Sequence, residues 1–211
     1  MVDSLLFDFD GVIADTEKIY DAFWNAKGRE FSLGYENFAA LLKGRTLKNI
    51  LVQYFGKFDE AVIQERVIKD LRRMEANMEF APIKGSVEFL KSLKGYKKAL
   101  VTSSSANKMK NALAKLGLTG AFDAEITSDF VSEGKPNPQC YLIAAEKLGV
   151  LPENCAVFED SESGMQAALN AKMHLIGLST TLSEAIVLKY TKNIFADFSQ
   201  PELVLECVKS L

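Results

Sequence analysis

The first regular element of the chain and the turn that follows it lie within Ser4-Leu5-Leu6-Phe7-Asp8-Phe9-Asp10-Gly11-Val12-Ile13-Ala14-Asp15-Thr16. The apolar run is short and rich in Leu and Phe, which predicts a strand buried in a sheet. Asp8 and Asp10 close the run, and Gly11 indicates that the chain turns there. Carboxylates at the end of a buried strand cost free energy unless a cation or a reaction compensates for them. The stretch therefore predicts a charged functional site at the end of a central strand.

Composition and charge exclude several classes of protein. The 211 residues suffice for one domain or for a core with an inserted subdomain. The formal charge of −3 predicts no surface for nucleic acid or for an anionic membrane, and no apolar run approaches the roughly 20 residues of a membrane span. The three cysteines form no CxxC pair, which argues against disulfides and zinc and favours a reducing compartment. We expect a cytoplasmic protein that is a monomer or a weak dimer.

The segment between Thr16 and Phe80 has helical periodicity throughout. We predict helices over residues 17–27, 35–43, 46–55 and 59–77, the first of them capped by Thr16. A strand followed by a purely helical block predicts an inserted subdomain. The expected division is therefore an all-helical cap, residues 16–80, inserted into a core formed by residues 1–15 and 81–211.

Strands and helices alternate from Leu93 onward, which predicts a parallel sheet with helices on both faces. The fold class expected is thus α/β, with a Rossmann-like parallel-sheet core. Ligands of such sheets bind beyond the carboxyl ends of the strands. Polar residues end or follow three predicted strands: Asp8 and Asp10, Thr102 and Ser103, and Glu159 and Asp160. Lys135 opens a helix at the same edge, so these side chains are expected to converge.

Four carboxylates at one point require cations, because each pair at ~4 Å costs roughly 1 to 4 kcal/mol. Lys135 supplies one positive charge. Mg²⁺, which binds carboxylates together with substrate phosphate oxygens, can supply the rest. A carboxylate can then attack phosphorus to form an aspartyl phosphate, while a second one transfers protons. The turn after Thr102 leads into a helix N-terminus, which favours phosphate. These residues predict a magnesium-dependent phosphoryl-transfer enzyme.

Four short motifs now carry a family resemblance. Asp8-Phe-Asp10-Gly-Val, Thr102, Lys135-Pro136 and Glu159-Asp160 match, in order, the four motifs of the haloacid dehalogenase (HAD) superfamily. The chain resembles this superfamily over essentially its whole length, and its helical insertion is similar to the C1-type cap. Two motif sequences are similar to those of the β-phosphoglucomutase and phosphoglycolate phosphatase branch: Gly134-Lys135-Pro136 and Phe158-Glu159-Asp160-Ser161. The resemblance implies a phosphoric monoester hydrolase that uses Mg²⁺.

The resemblance also implies roles at the metal and the nucleophile. Asp8 would be the nucleophile and a magnesium ligand. Asp10 would be the general acid and base, and would bind the metal through its backbone carbonyl. Asp160 would be a magnesium ligand, with Glu159 beside it.

A second set of residues would contact the phosphoryl group. Thr102 would bind the transferring group with help from Ser103, and Lys135 would offset charge on that group and on Asp8. Gly11 and Val12 would offer backbone N–H groups near the phosphoryl oxygens.

Three functions remain open. The leading one is a magnesium-dependent phosphatase of a small phosphorylated metabolite, with a sugar phosphate favoured because Arg45 and Lys48 could grip a polar substrate from the cap. The alternative is a phosphosugar mutase of the β-phosphoglucomutase kind, although that enzyme has a histidine and an arginine where Tyr20 and Leu47 align. The third is a phosphate- or metal-binding module without turnover, which would not need the proton-transfer group of Asp10.

Overall fold

The apolar run Ser4–Phe7 lies inside a six-stranded sheet in the computed structural model, which describes residues 2–43 and 45–211. Numbered along the chain, the strands are β1 (Ser4–Phe7), β2 (Ala14–Asp15), β3 (Ala81–Pro82), β4 (Lys97–Val101), β5 (Ala124–Ile126), β6 (Cys155–Glu159), β7 (His174–Leu178) and β8 (Ile194–Phe195). The large sheet has the order β5-β4-β1-β6-β7-β8, and its strands pair in parallel. β2 and β3 form a separate antiparallel pair. The predicted α/β fold with a parallel-sheet core is confirmed.

Helices connect the strands and form the insertion. They are α1 (Glu17–Glu30), α2 (Leu47–Ile50), α3 (Glu60–Ile63), α4 (Lys69–Asn77), α5 (Ser86–Ser92), α6 (Ala106–Lys115), α7 (Gln139–Leu148), α8 (Glu162–Asn170), α9 (Glu184–Val187) and α10 (Pro201–Ser210). π-Helical turns over Leu51–Phe55 and Gln64–Ile68 continue α2 and join α3 to α4. The helix predicted over 35–43 is wrong except for a 3₁₀ turn at Ala39–Leu42. Phe38 is buried there among aromatic rings, and this packing overrides the helical periodicity.

Alternation along β1 places apolar side chains on both faces of the sheet. Leu5 and Phe7 join one hydrophobic cluster with residues of α5, α6 and α10, whereas Leu6 joins another with residues of α7 and α8. Both clusters are therefore covered by helices, which makes β1 a fully buried strand.

Register brings the carboxyl ends of β1, β4 and β6 to one edge. Phe7 lies opposite Phe158, and the two rings stack with their centroids 4.6 Å apart. Asp8, Thr102 and Asp160 directly follow these three strands. The sheet thereby collects the polar residues that the sequence placed at strand ends.

The inserted helices have a hydrophobic cluster of their own. It includes Trp24, Phe38, Phe55, Val67 and Leu71, all buried. The division at residues 16 and 80 stays a prediction, and this separate cluster supports it. Within the described residues, no helix has both the length and the apolar character needed to cross a membrane.

Candidate active site

A buried lysine joins two of the strand-end carboxylates. Lys135 Nζ lies 3.0 Å from Asp8 Oδ1 and 2.5 Å from Glu159 Oε1, and it also donates to the carbonyl oxygen of Val101 at 3.3 Å. All three charged side chains are almost completely buried. Burial lowers the pKa of Lys135, but Asp8 and Glu159 outweigh burial and hold that pKa well above its ordinary value. Lys135 is therefore a fixed positive charge beside Asp8.

Glu159 is surrounded by hydrogen-bond donors. Besides Lys135, Oε1 accepts from the Tyr141 hydroxyl at 2.9 Å, and Oε2 accepts from the backbone N–H of Asp160 and from both N–H and Oγ of Ser161 at 3.0–3.1 Å. A Cβ built on Gly164 would lie 1.8 Å from Oε1, so only glycine leaves room for this carboxylate. Five donors occupy the lone pairs of Glu159. Its geometry suits holding Lys135 better than binding a metal directly.

Asp8, Glu159 and Asp160 nevertheless form one acidic group. Each brings a carboxylate oxygen within 4.8 Å of the others. Asp8 is held through Oδ1 by Lys135, and Asp160 is held through Oδ2 by the Thr181 hydroxyl. The second oxygen of each can bind a cation, and such hard oxygen donors suit Mg²⁺. Burial raises the pKa of Asp8 to about 7, with Glu159 and Asp10 adding to the rise and Lys135 opposing it. The protein thus carries a carboxylate pair that a divalent cation would stabilise.

The Asp10 side chain points to a different set of partners. Its Oδ1 accepts from the Thr16 hydroxyl, its Oδ2 accepts from Ser104 Oγ at 3.0 Å, and Lys108 Nζ lies 2.6 Å and 2.9 Å from the two oxygens. Burial raises the pKa of Asp10, but Lys108 and these hydrogen bonds outweigh it and hold that pKa below its usual range. The carboxylate lies outside the group formed by Asp8, Glu159 and Asp160. The metal contact through the backbone carbonyl of Asp10, which the resemblance implied, stays a prediction.

Thr102 and Ser103 border the same cavity as Asp8. Thr102 is buried, and its Oγ1 accepts from the N–H of Ser104 at 3.1 Å. Ser105 caps α6 by accepting from the N–H of Lys108. The loop between β4 and α6 thus presents hydroxyl groups at a helix N-terminus, where phosphate binding is favourable.

Two implied phosphoryl contacts are not supported by the loop geometry. The N–H of Gly11 donates to the carbonyl of Ala14 at 2.8 Å, and the N–H of Val12 donates to the carbonyl of Phe9 at 3.3 Å. Both N–H groups therefore bond within the loop itself. The requirement for Gly11 is steric, since it has a φ of +77° and a Cβ there would lie 1.8 Å from Asp160 Oδ2.

The helical insertion covers the site and leaves a cavity of about 840 Å³. Arg45 borders this cavity and donates to Gln53 at 2.7 Å. Lys48 is exposed and is not among the described residues that line the cavity. Lys43 and Arg72 line it instead. Of the two cations predicted to bind the substrate, Arg45 therefore lines the cavity, whereas Lys48 is not among its described lining residues.

Several residues of the site were missed by reasoning from the sequence. Lys108, Ser104 and Thr16 bind Asp10, and Thr181 binds Asp160. Thr16 does lie at the N-cap of α1, but its side chain makes no capping hydrogen bond and turns to Asp10. One feature of the sequence could have indicated these contacts: Lys108 is a charged residue adjoining the apolar face of an amphipathic helix. Such a residue is buried only when it has a partner.

The chain is similar to known hydrolases over most of its length. A family model described as haloacid dehalogenase-like hydrolase matches residues 5–178. The chain is 31% identical over 189 residues to a phosphorylated carbohydrates phosphatase of Thermotoga maritima, covering 83% of this chain and 84% of that protein. It is 32% identical over 179 residues to the fructose-1-phosphate phosphatase YqaB of Escherichia coli, covering 82% and 94%.

Solved structures show the same fold. The β-phosphoglucomutase of Clostridium difficile superposes with a TM-score of 0.83 at 24% identity, covering 100% of this chain and 98% of that one. The chain belongs to the haloacid dehalogenase-like hydrolase family. The family resemblance carried by the four motifs is thereby confirmed.

Proposed function

We propose that this protein is a magnesium-dependent phosphatase that hydrolyses a small phosphorylated carbohydrate through an aspartyl phosphate on Asp8. Its class, a phosphoric monoester hydrolase, follows from the family and from its phosphatase relatives. The observation that carries the finer proposal is the Asp8–Lys135–Glu159 arrangement. It supplies a nucleophile, a fixed cation and a buried carboxylate that holds the cation, at the edge where phosphate is expected to bind.

The reaction is assigned to these side chains in two steps. Asp10 takes up a proton from solvent as the substrate binds; an oxygen of Asp8 then attacks phosphorus, and the alcohol leaves with that proton. Water, deprotonated by Asp10, then attacks the phosphorus of the aspartyl phosphate, which releases phosphate and restores Asp8. Lys135 and Thr102 stabilise the charge of the phosphoryl group throughout. Bound Mg²⁺, held by Asp8 and Asp160, would neutralise phosphoryl charge.

Charges on the cap side of the cavity favour a substrate with one phosphate and a neutral body. Among the described lining residues of the insertion, the acids Glu17, Asp21 and Glu75 balance the bases Lys43, Arg45 and Arg72. Lys43 is already paired with Glu17 and Asp21. Carboxylates and paired bases suit sugar hydroxyls, whereas a second phosphate would need a surplus of positive charge.

The same charge balance ranks the phosphosugar mutase second. A mutase must hold either phosphate of a bisphosphate at the cap in turn. Tyr20, which stands where the resemblance implies a histidine in the mutase, donates a hydrogen bond from its hydroxyl to Glu75 Oε1 at 2.6 Å. The cap therefore faces the core with a neutral ring and an acid at this point.

A phosphate-release screen tests the proposal. The purified protein with Mg²⁺ would be offered sugar monophosphates, phosphoglycolate, nucleotides and pyrophosphate. We expect phosphate release from at least one sugar monophosphate, and its loss in Asp8→Asn, while Asp3→Asn at the opposite end of β1 retains activity. An isomerised sugar phosphate formed with a bisphosphate primer would instead establish the mutase. Calorimetric binding without release over hours would establish the binding module.

A further inference from the structure

A second buried lysine contacts the proton-transfer residue. Lys108 Nζ, on α6, lies 2.6 Å from Oδ1 and 2.9 Å from Oδ2 of Asp10, and it donates to Ser104 Oγ at 2.9 Å. Its side chain has no exposed surface. Leaving the Lys108 ammonium unpaired at such a position would be strongly unfavourable. Lys108 and Asp10 therefore constrain each other.

Lys108 is the charged member of the group that holds Asp10. The other two donors, Thr16 and Ser104, are neutral hydroxyls. A hydrogen bond from an ammonium to a carboxylate is roughly twice as strong as a neutral one. The position of Asp10 should consequently depend more on Lys108 than on either hydroxyl.

The first and last helices of the insertion cover Lys108 from the other side. The Tyr20 ring of α1 lies with its centroid 4.4 Å from Lys108 Nζ, a cation–π contact. The Tyr20 hydroxyl is bonded to Glu75 of α4, so the two helices are tied together over the lysine. Lys108 is thus the point at which Asp10 of the core meets the two helices that connect the insertion to the core.

We propose that Lys108 is a positioning residue for Asp10. Lys108 fixes the Asp10 carboxylate in the cavity and links the position of that carboxylate to α1 and α4 through the Tyr20 ring. The proposal rests on the proposed function, because Asp10 acts there as the acid and base. The proposed role requires no contact of Lys108 with phosphorus or with the leaving oxygen, although Lys108 borders the same cavity as Asp10. Its effect on turnover should therefore pass entirely through Asp10.

A double-mutant cycle tests this dependence. Turnover of p-nitrophenyl phosphate with Mg²⁺ would be measured for wild type, Lys108→Met, Asp10→Ala and the double variant. We expect Lys108→Met to lower kcat by about 10- to 100-fold in the wild-type background, the range for residues in contact. In the Asp10→Ala background it should lower kcat less than about twofold, since the group it positions is gone.

The matched control is Lys110→Met, which makes the same change at an exposed position of the same helix. It should change kcat less than about twofold. An equal loss from Lys108→Met in both backgrounds would overturn the proposal, because a purely structural role does not depend on Asp10. So would a folded Lys108→Met protein with the turnover of Lys110→Met. Should Lys108→Met fail to fold, Lys108→Gln replaces it in the cycle with the same two readings.

A crystal structure of the Lys108→Met variant gives a reading that needs no activity. The Asp10 carboxylate should leave its position beside Ser104. An unmoved carboxylate would overturn the positioning role. If wild type releases no phosphate from any substrate, the proposed function fails, and this structure alone decides whether Lys108 positions Asp10.

Discussion

At the residue scale, the site depends on charges that are buried together. Lys135 lies between Asp8 and Glu159, and Glu159 is itself held by Tyr141 and Ser161. A buried ion is tolerated only when partners replace its hydration. Asp8 is less well compensated than Glu159, so burial raises the pKa of Asp8 to about 7. We expect this imbalance to make the metal-free protein sensitive to pH.

We expect the metal-free protein to lose stability as the pH rises. The folded protein holds a proton on Asp8 more tightly than the unfolded chain, where the carboxyl titrates near 3.8. The contribution of Asp8 is therefore fully present below about pH 4 and is lost as the pH rises through about 7. In EDTA, calorimetry should show Tm falling more between about pH 5 and 8 for wild type than for Asp8→Asn. Identical slopes for the two proteins would contradict this account, and added Mg²⁺ should reduce the fall.

Thr181 should tune the metal affinity without binding the ion. Its hydroxyl donates to Asp160 Oδ2 and so orients the carboxylate. Loss of such an outer partner typically weakens metal binding by about 10- to 100-fold. We expect Thr181→Val to raise the Kd for Mg²⁺ in calorimetry by about that factor. Ser183→Ala, a change at an exposed residue that makes no capping bond, is the control, and an unchanged Kd in Thr181→Val would exclude the role.

At the element scale, the start of α8 lies so close to the end of β6 that α8 requires a glycine at the position facing Glu159. Gly164 lies in the first turns of α8, and a Cβ there would lie 1.8 Å from Glu159 Oε1 and 2.0 Å from its Cδ. Ser161, which caps α8 by accepting from the N–H of Gly164, also donates to Glu159. The start of this helix and the end of the strand are thus built around one carboxylate.

Gly164→Ala should displace Glu159 and disturb Lys135. Although alanine favours helix over glycine, the added Cβ cannot fit, and overpacking of this kind costs about 1 to 3 kcal/mol. We expect a lower free energy of unfolding in urea and a fall in kcat. The exposed Gln166→Ala on the same helix should change stability by less than about 0.5 kcal/mol. A Gly164→Ala protein as stable and as active as wild type would show that the carboxylate can move at no cost.

At the scale of the whole molecule, the core and the insertion pack around separate hydrophobic clusters. The sheet residues form two clusters, one on each face, while the inserted helices bury Trp24, Phe38 and Phe55 among themselves. The cavity lies between them and takes the acids and the phosphate-facing loop from the core.

Phe38→Ala tests whether residues 16–80 are a separate unit. Removing this fully buried ring should cost about 3 to 5 kcal/mol. Hydrogen exchange should then speed up in α1 to α4 and leave β1, β4 and β6 protected. Phe89→Ala, at an equally buried position of the core cluster, should reduce protection throughout the chain. Uniform loss of protection in Phe38→Ala would instead mean that the insertion and the core unfold as one unit.

The sheet core and the strand-end residues were predictable because they depend on local patterns. Apolar runs, alternating elements and the order of four short motifs indicated the α/β fold and the convergence of Asp8, Thr102, Lys135 and Asp160. The helices and the cavity-lining residues of the cap were predicted less accurately. The expected helix over 35–43 shrank to a turn because Phe38 packs into an aromatic cluster, and Lys43 lines the cavity whereas Lys48 is not among its described lining residues. Helical periodicity predicts one apolar face but does not select which polar side faces a cavity.

The sequence by itself determined the family, the fold class and the strand-end carboxylates, since these follow from the order and spacing of residues along the chain. Only the tertiary structure decided how each carboxylate is held. Asp10 meets a lysine 98 residues away, and Asp160 meets a threonine from the loop after β7. Such pairings depend on which side chains the packed helices and loops bring within about 3 Å of one another, the distance at which a hydrogen bond forms.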